Sequence, residues 1–176
     1  MRYILIIFAL LMVSCTNQAP HHHITEKKYF VRGHYYYPQT SYKYNRVGYA
    51  SWYGGSDHGK KTATGKYFNK YQMTAAHRTL PLPSVVKVTN LENGKSVILV
   101  VNDRGPFAET SKRIIDVSEA AAEKLGFKHK GTAKVRVECL EEKSVIAALN
   151  YGKKPYATPT SHAIKVVKKI QKSKNK

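Results

Sequence analysis

The residues of this chain with the clearest chemical potential are Asp103 and its neighbours. An apolar run over residues 97–101 predicts a buried strand, which ends in Asn-Asp-Arg-Gly-Pro, where Gly and Pro force a turn. A carboxyl group held at the end of a rigid strand is suited to general acid–base catalysis. The same residues also fit a simpler interpretation, in which Asp103 caps the turn and Arg104 forms a surface ion pair. The local sequence leaves both interpretations open.

Two further carboxyl groups are alternative acids. Asp57 lies in a Gly- and Lys-rich loop, and Asp116 lies in a short predicted strand. Asp116 stands three residues before Glu119, which is the spacing of a helix capping box, so a helix cap is the simpler interpretation of Asp116. The three histidines at 21–23 have no Cys or carboxylate partner at ligand spacing, so we expect neither a metal site nor a cofactor.

The elements that must hold these groups are short strands. Apolar and alternating runs predict strands over residues 48–54, 85–91, 96–101, 113–117 and 133–139, and the Ala-rich residues 120–125 predict a helix that stops at Gly126. Asn93-Gly94 between two β-rich runs predicts a hairpin. We therefore predict a mainly β domain over residues 47–140, a small barrel of five or six strands with one short helix.

The first 15 residues predict export. Met1 and Arg2 form a short positive region, and the apolar run of about 11 residues that follows is typical of a signal peptide and too short to cross a bilayer. Cys15, behind a small residue, is similar to the end of a bacterial lipobox, where the Cys receives lipid. We expect a lipoprotein anchored to a membrane through Cys15 and facing the periplasm, or a soluble periplasmic protein if Cys15 carries no lipid.

The remaining segments are polar. Residues 16–46, rich in Tyr and His, are interpreted as a spacer, and residues 141–176 as a basic, disordered tail. An alternative for the tail is a weak basic amphipathic helix on Ile164, Val167 and Ile170. The formal net charge of +19 predicts association with polyanions. Export makes anionic lipid or an acidic polymer the expected partner and argues against nucleic acid.

Ordered motifs give the chain a resemblance to a known family. They are ASWYG at 50–54, HG at 58–59, TATG at 62–65, TAAH at 74–77, VTNL at 88–91, NDRGPF at 102–107 and RIID at 113–116. Over residues 47–138 the chain resembles the rare lipoprotein A family, the septal-ring lytic transglycosylases of bacterial envelopes. The resemblance implies a six-stranded double-psi β-barrel.

The resemblance also implies an activity and the residues that carry it. Members cleave the glycan strands of peptidoglycan, preferring strands without stem peptides, and leave 1,6-anhydromuramyl ends during cell wall remodelling and daughter-cell separation. Asp103 would then be the acid/base, and His77 would orient or share its proton. Trp52 and Tyr53 would each offer a face to a sugar ring, with core filling as the alternative.

One departure from the family pattern bears on turnover. The family usually has Glu after the Gly of its Thr-Ala-x-Gly motif, and this chain has Lys66 there. Lys66 and Arg104 are both predicted to contact substrate. Because a nearby ammonium favours the charged form of a carboxyl, Lys66 is predicted to lower the pKa of Asp103 and make it a poorer acid. The alternative function is therefore a non-catalytic glycan-binding or scaffold module on the same barrel.

Overall fold

The computed structural model describes residues 27–152 together with Ile164, Lys165 and Lys168. The strands are β1 (Tyr29–Val31), β2 (His34–Tyr36), β3 (Asn45–Tyr53), β4 (Thr74–Ala76), β5 (Ser84–Asn90), β6 (Ser96–Asp103), β7 (Arg113–Ser118) and β8 (Thr132–Cys139), and the helices are α1 (Glu119–Leu125) and α2 (Glu141–Asn150). No helix in the described part of the chain is long and apolar enough to span a membrane. The predicted signal peptide, Cys15 and the histidines at 21–23 lie outside the described residues, as does most of the basic tail.

Six strands close into a barrel in the order β3-β7-β4-β6-β5-β8. The pairs β3–β7 and β4–β6 are parallel, and the other four pairs are antiparallel. Closure pairs both sides of every barrel strand, so the barrel has no open sheet edge. The predicted mainly β, six-stranded double-psi β-barrel is confirmed.

Alternating inward-facing residues fill the barrel. In β8 burial alternates through Ala133, Val135 and Val137, with charged or polar residues between them facing water. These side chains join Val86 and Val88 of β5 in one apolar cluster. Because each fully buried Val contributes about 1.5–3 kcal/mol, a one-residue slip of any of these strands would cost several such contributions.

β5 and β6 form the hairpin that the sequence predicted. They pair antiparallel, with Val86 opposite Leu99 and Ser84 opposite Val101. Leu99 and Val101 are buried in the core, and this burial fixes the register of β6. Asp103, two residues further on, ends β6 and lies at the barrel mouth, where it lines a cavity.

α1 begins at a different cap from the one predicted. Ser118 is the N-cap, and its hydroxyl accepts a hydrogen bond from the backbone N–H of Ala121 at 3.3 Å. Asp116 lies inside β7, so the interpretation of Asp116 as the helix cap is wrong. The helix ends as predicted at Gly126, which takes the left-handed conformation, φ 77°, that glycine adopts without strain.

The predicted disordered tail begins with a second helix, α2. Ser144, Val145 and Ala148 are buried and share the face that packs on β5. The Ser144 hydroxyl accepts a hydrogen bond from the backbone N–H of Val85 and donates one to the Leu140 carbonyl, both at 2.8 Å. The predictions of a single helix and of a tail disordered from residue 141 are therefore wrong. The sequence did not predict α2 because its apolar face is short and is surrounded by polar residues.

The predicted spacer contains a β-hairpin. β1 and β2 pair antiparallel with Tyr29 opposite Tyr36, and the two rings stack at 5.2 Å. Tyr29 and Tyr42 are buried, and the Tyr29 hydroxyl donates to the Arg78 carbonyl at 2.7 Å. The folded unit therefore includes this hairpin, and β3 begins at Asn45. The spacer prediction is wrong for these residues because strands of three residues are too short to show a period of two.

Candidate active site

A cavity of about 450 Å³ opens at the barrel mouth, a size that suits a small ligand or a segment of a polymer. It is lined by Arg32, Tyr53, Asp57, Lys60, Lys61, Phe68, Ala76, Asp103, Arg104, Gly105, Pro106, Phe107, Ala108, Arg113 and Asp116. The lining combines three carboxyl groups with five basic side chains. Among the described residues, no group of three or more His, Cys, Asp and Glu is arranged to hold a metal ion.

Asp103, the last residue of β6, is aimed by a β-bulge. Ala75 of β4 pairs with Val101, and Ala76 pairs with Asp103, so Asn102 is an extra residue in β6. A bulge of this kind bends the strand and redirects the side chain beside it. The bulge and the end of β6 together place the carboxyl group of Asp103 in the cavity.

The surroundings of the Asp103 carboxyl group favour its protonated form. Burial raises its pKa above the ordinary value. The rise is limited because Oδ1 accepts hydrogen bonds from the backbone N–H groups of Ala63 at 2.9 Å and Arg104 at 2.8 Å, and because the Arg104 charge is near. A carboxylic acid that keeps its proton closer to neutral pH is suited to protonate a leaving group.

Asp116 is a second carboxylate of the cavity. Its Oδ1 accepts hydrogen bonds from the Ser51 hydroxyl at 2.5 Å and from Nη2 of Arg113 at 2.6 Å. The ion pair is largely shielded from water, with exposed side-chain fractions of 18% for Arg113 and 14% for Asp116. The Asp116 carboxyl group is therefore fixed by side chains, Arg113 and Ser51, whereas that of Asp103 is fixed by backbone N–H groups.

His77 follows β4 but is absent from the cavity lining. Its ring is 3% exposed and meets the Tyr44 ring edge-on at 4.8 Å. Nδ1 accepts the backbone N–H groups of Thr79 at 3.1 Å and Leu80 at 2.9 Å, which requires the neutral tautomer with hydrogen on Nε2. Burial, helped by two neighbouring arginines, lowers its pKa to about 3. This geometry disagrees with the prediction that His77 shares the catalytic proton, because its acceptor nitrogen is occupied in holding the turn.

The two predicted aromatic residues have different positions. Tyr53 lines the cavity, and its ring stacks on Phe68 with centroids 4.2 Å apart. Trp52 lies on the other face of β3, where it packs against the core and its Nε1 donates to the Lys128 carbonyl at 3.1 Å. Consecutive residues of a strand face opposite sides, so only one of the two can face the ligand. Tyr53 is that residue, and the prediction of substrate contact at Trp52 disagrees with the structure.

Arg104 lines the cavity but its guanidinium also supports the fold. Nη1 donates to the carbonyls of His77 at 3.2 Å and Leu80 at 2.6 Å, and the guanidinium carbon lies 5.6 Å from the centre of the Tyr29 ring. Arg104 thus ties the turn after β4 to β1. The surface ion pair considered for Arg104 is wrong, because the side chain is buried.

Lys66 does not lie in this cavity. Its ammonium stacks over the Tyr151 ring at 3.8 Å, and both residues line a separate cavity of about 530 Å³. The charges that act on the pKa of Asp103 come chiefly from Arg104 and Asp57. The prediction that Lys66 makes Asp103 a poorer acid is wrong, because the two side chains lie in different cavities.

Arg78 is a site residue that sequence reasoning missed. Its Nη1 donates to the carbonyls of Pro106 at 3.1 Å and Arg113 at 2.8 Å, and its Nη2 donates to the Thr110 carbonyl at 3.2 Å. These hydrogen bonds hold together the loop after β6, which forms one wall of the cavity. Only the proximity of Arg78 to the TAAH motif could have pointed to it, since its partners are carbonyls more than 25 residues away in sequence.

Comparison with known proteins assigns the family. Residues 45–137 match the family model described as "Lytic transglycolase". The chain belongs to the lytic transglycosylase family. Curated members named "Endolytic peptidoglycan transglycosylase RlpA" include those of Rickettsia typhi, 57% identical over 122 residues (68% of this chain, 38% of that protein), and Pseudomonas aeruginosa, 58% identical over 114 residues (64% and 33%). The protein of that name from Neisseria meningitidis serogroup A is 52% identical over 118 residues (66% and 48%). Over the matched residues the chain is therefore similar to the RlpA proteins.

The match to these lytic transglycosylases covers part of each of them. The chain spans between about a third and a half of the length of the relatives it matches. Among solved structures, the Streptomyces papain inhibitor gives a TM-score of 0.45 at 22% identity, covering 55% of this chain and 94% of that one. The Clavibacter michiganensis expansin, solved as a d78n mutant with cellohexaose, gives 0.44 at 17% identity, covering 56% and 52%.

Proposed function

We propose that this chain is a lytic transglycosylase that cleaves the glycan strands of peptidoglycan, preferring strands without stem peptides, to 1,6-anhydromuramyl ends in cell wall remodelling and septum separation. The observation that carries the proposal is the half-buried carboxyl group of Asp103, with its raised pKa, at the floor of an open cavity in a chain of this family. No cofactor takes part in the reaction as proposed.

The reaction uses Asp103 twice. Because Oδ1 is held by two backbone N–H groups, the proton sits on Oδ2. Asp103 gives this proton to the glycosidic oxygen as the bond from that oxygen to the anomeric carbon of muramic acid breaks. The 6-hydroxyl oxygen of the same sugar bonds to the anomeric carbon, and its proton returns to Asp103. The nucleophile belongs to the substrate, so one acid/base serves both steps and water is not consumed.

Asp116 has a supporting role in this mechanism. The anomeric carbon becomes positively charged as the glycosidic bond breaks. The Asp116 carboxylate, held in place by its ion pair with Arg113, stabilises that charge from across the cavity. Tyr53 supplies the aromatic face for a sugar ring, since it lines the cavity and is held in place by Phe68.

The alternative, a non-catalytic glycan-binding or scaffold module, rested on the replacement of the family Glu by Lys66. Lys66 contacts Tyr151 in a different cavity and leaves the surroundings of Asp103 intact. The position of Lys66 therefore gives no reason to prefer the non-catalytic role.

One assay tests the proposal. The purified protein is incubated with glycan strands lacking stem peptides, and the products are analysed by mass spectrometry for 1,6-anhydromuramyl ends. We expect product from the wild type and from Asp57→Asn, and a loss of at least about 100-fold in Asp103→Asn, the usual effect of removing an acid/base. Strands that bind without yielding product at any protein concentration would favour the glycan-binding module.

We also propose that the protein is anchored to a membrane through lipid on Cys15 and faces the periplasm. The support is the apolar run and the lipobox-like end of the first 15 residues. Growth of expressing cells with a clickable palmitate analogue should label the wild type and leave Cys15→Ser unlabelled. Equal labelling of both proteins would disprove attachment at Cys15. Recovery of unlabelled wild type in the soluble periplasmic fraction would instead favour export without an anchor.

A further inference from the structure

The β1–β2 hairpin packs beside the candidate active site and contributes Arg32 to its lining. Tyr29 and Tyr36 both pack on Phe107, with ring centroids 6.2 and 5.4 Å away. Phe107 lines the cavity and directly follows the Asp103-Arg104-Gly105-Pro106 stretch. The hairpin lies outside residues 45–137, the part of the chain that matches the family model. It is therefore an addition to the matched barrel that reaches the same cavity.

The hairpin turn directs Arg32 to the cavity. Arg32 lines the cavity from the tip of the turn. Its φ is 49° and that of Gly33 is 81°, so both central residues of this two-residue turn are left-handed. Gly accepts this conformation freely, whereas Arg is disfavoured there, and Asn, Asp or Gly would be the usual choice. A strained residue at the edge of a cavity points to a role for its side chain.

The charges of the cavity are unequally neutralised. Lys60 pairs with Asp57 at 2.9 Å, and Arg113 pairs with Asp116 at 2.6 Å. Arg32 and Lys61 form no ion pair with any residue in the described part of the chain. The lining has five basic side chains and three carboxyl groups, so the cavity carries a net positive charge even with every carboxyl group ionised. The unmatched positive charge suits an anionic ligand.

We propose that Arg32 is a substrate-positioning residue that binds a carboxylate of the glycan strand, with Lys61 as the second cation. The inference rests on the proposed function, since the ligand is the strand whose bond Asp103 breaks. In a strand without stem peptides, the lactyl group of each muramic acid ends in a free carboxylate, which a guanidinium recognises with two parallel hydrogen bonds. A stem peptide turns this carboxylate into a neutral amide. Arg32 thereby selects strands that carry free lactyl carboxylates.

The test compares two ligands and three variants. The ligands are strands without stem peptides and the same strands with their lactyl carboxylates converted to neutral methylamides. The variants of the full chain are Arg32→Gln, Arg32→Lys and the matched control Lys28→Gln, which removes a hairpin cation that stacks on Tyr35 and does not line the cavity. KM and kcat are measured for each. Kd is measured by fluorescence anisotropy in an Asp103→Asn background, which prevents cleavage.

The proposal expects a loss that depends on the carboxylate. Arg32→Gln should raise KM and Kd roughly tenfold for the carboxylate strand, as expected for one charge-assisted contact, with little change in kcat. It should change neither constant for the methylamide strand. Arg32→Lys should restore part of the affinity, and Lys28→Gln should behave as the wild type. An equal loss on both strands would assign Arg32 to hairpin stability, and no loss on either would remove it from binding. Both outcomes overturn the proposal.

The binding measurement separates this inference from the proposed function. If no 1,6-anhydromuramyl product forms from any strand, the proposed function fails. The comparison of Kd between the carboxylate and methylamide strands still decides whether Arg32 binds the carboxylate. If product forms and Arg32→Gln has the same Kd as the wild type for the carboxylate strand, the inference fails alone.

Discussion

Asp103 and Asp116 pair in register with the same residue, Ala76, from opposite sides of β4. The backbones of the two acids are therefore two strand spacings apart, about 10 Å. Ala76 presents only a methyl group to the cavity between them, which leaves room for a sugar ring. The two carboxyl groups also differ in surroundings, since Asp103 is half-buried against backbone N–H groups and Asp116 is paired with Arg113. In the proposed mechanism Asp103 carries the proton, and Asp116 contributes the negative charge of its ion pair with Arg113.

The first prediction is that Asp103→Asn abolishes turnover and stabilises the fold at neutral pH. The unfolded chain has the ordinary carboxyl pKa of 3.8, and burial raises the folded pKa above it. The folded state therefore binds more protons, and the stability of the wild type falls as pH rises from 3.8 through the folded pKa. Asn stays neutral and its Oδ1 can accept the same two N–H groups. Thermal unfolding should give a higher Tm for the variant at pH 7.

The control for this prediction is pH. Below 3.8 the wild-type carboxyl is protonated in both states, so the Tm difference should shrink. Asp57→Asn should give no comparable gain at pH 7, because it removes a mostly exposed ion pair with Lys60. A lower Tm for Asp103→Asn at pH 7 would show that the folded state prefers the carboxylate, and the acid role would lose its basis.

The second prediction concerns His77 and acid. Its folded pKa is about 3, below the ordinary value of 6.5, so the unfolded state binds more protons between these values. Stability then falls as pH drops from 6.5 toward 3, by up to about 1.4 kcal/mol per pH unit from this residue. In His77→Asn, whose side-chain oxygen can accept the Thr79 and Leu80 N–H groups, this contribution should vanish. Urea unfolding at pH 7, 6, 5 and 4 measures the slope.

The same variant separates a structural His77 from a catalytic one. Since His77 does not line the cavity, His77→Asn should retain kcat within about tenfold when assayed well below its Tm, whereas loss of a proton-transfer group costs about 10²–10⁴-fold. A loss of that size in fully folded protein would restore the catalytic role. An unchanged pH slope would show instead that His77 does not carry the acid sensitivity.

The third prediction is that Lys66→Glu changes stability more than rate. Removal of the cation–π contact with Tyr151 should lower the free energy of unfolding by about 0.5–1 kcal/mol. Because Lys66 and Asp103 line different cavities, kcat should stay within about twofold. Tyr151→Leu is the matched control, as it removes the same contact from the other side. A large rate increase in Lys66→Glu alone would mean that the charge at this position acts on Asp103.

The fourth prediction tests the attachment of α2. Ser144→Ala leaves the buried backbone N–H of Val85 without its hydroxyl partner, which should cost about 1–3 kcal/mol. Ser144→Thr keeps the hydroxyl group and serves as the comparison. Denaturant unfolding gives both values. If Ser144→Ala unfolds at the wild-type denaturant concentration, α2 does not depend on this bond.

The barrel could be predicted because its signals are local. The alternation in β8, the Asn-Gly turn between β5 and β6, and the Gly126 stop of α1 each follow from residues close together in sequence. The placement of Asp103 at a strand end was predictable for the same reason. The family resemblance added the connection between these elements.

The features that the sequence did not predict depend on residues that are distant from one another in the chain. β4 has only three residues, and β1 and β2 are as short, so no period could show. Ser144 is informative only once Val85 is known to need a partner 59 residues away. The prediction put Lys66 beside Asp103, whereas the structure places it beside Tyr151. Position along the chain does not show which side of a loop faces a cavity. Asp116 was assigned to a cap because spacing favoured it, while Ser118 was closer to the helix and capped it.

Arg78 links two segments beside the cavity that come from different parts of the chain, the β1–β2 hairpin and the loop after β6. Its guanidinium holds the carbonyls of the loop between β6 and β7, and its own carbonyl accepts the Tyr29 hydroxyl from the hairpin. A force applied to the hairpin by a bound strand is therefore transmitted to the loop beside Asp103 through Arg78, in addition to the direct packing of Tyr29 and Tyr36 on Phe107. Substrate capture at the rim of the cavity and alignment of the acid are therefore mechanically coupled.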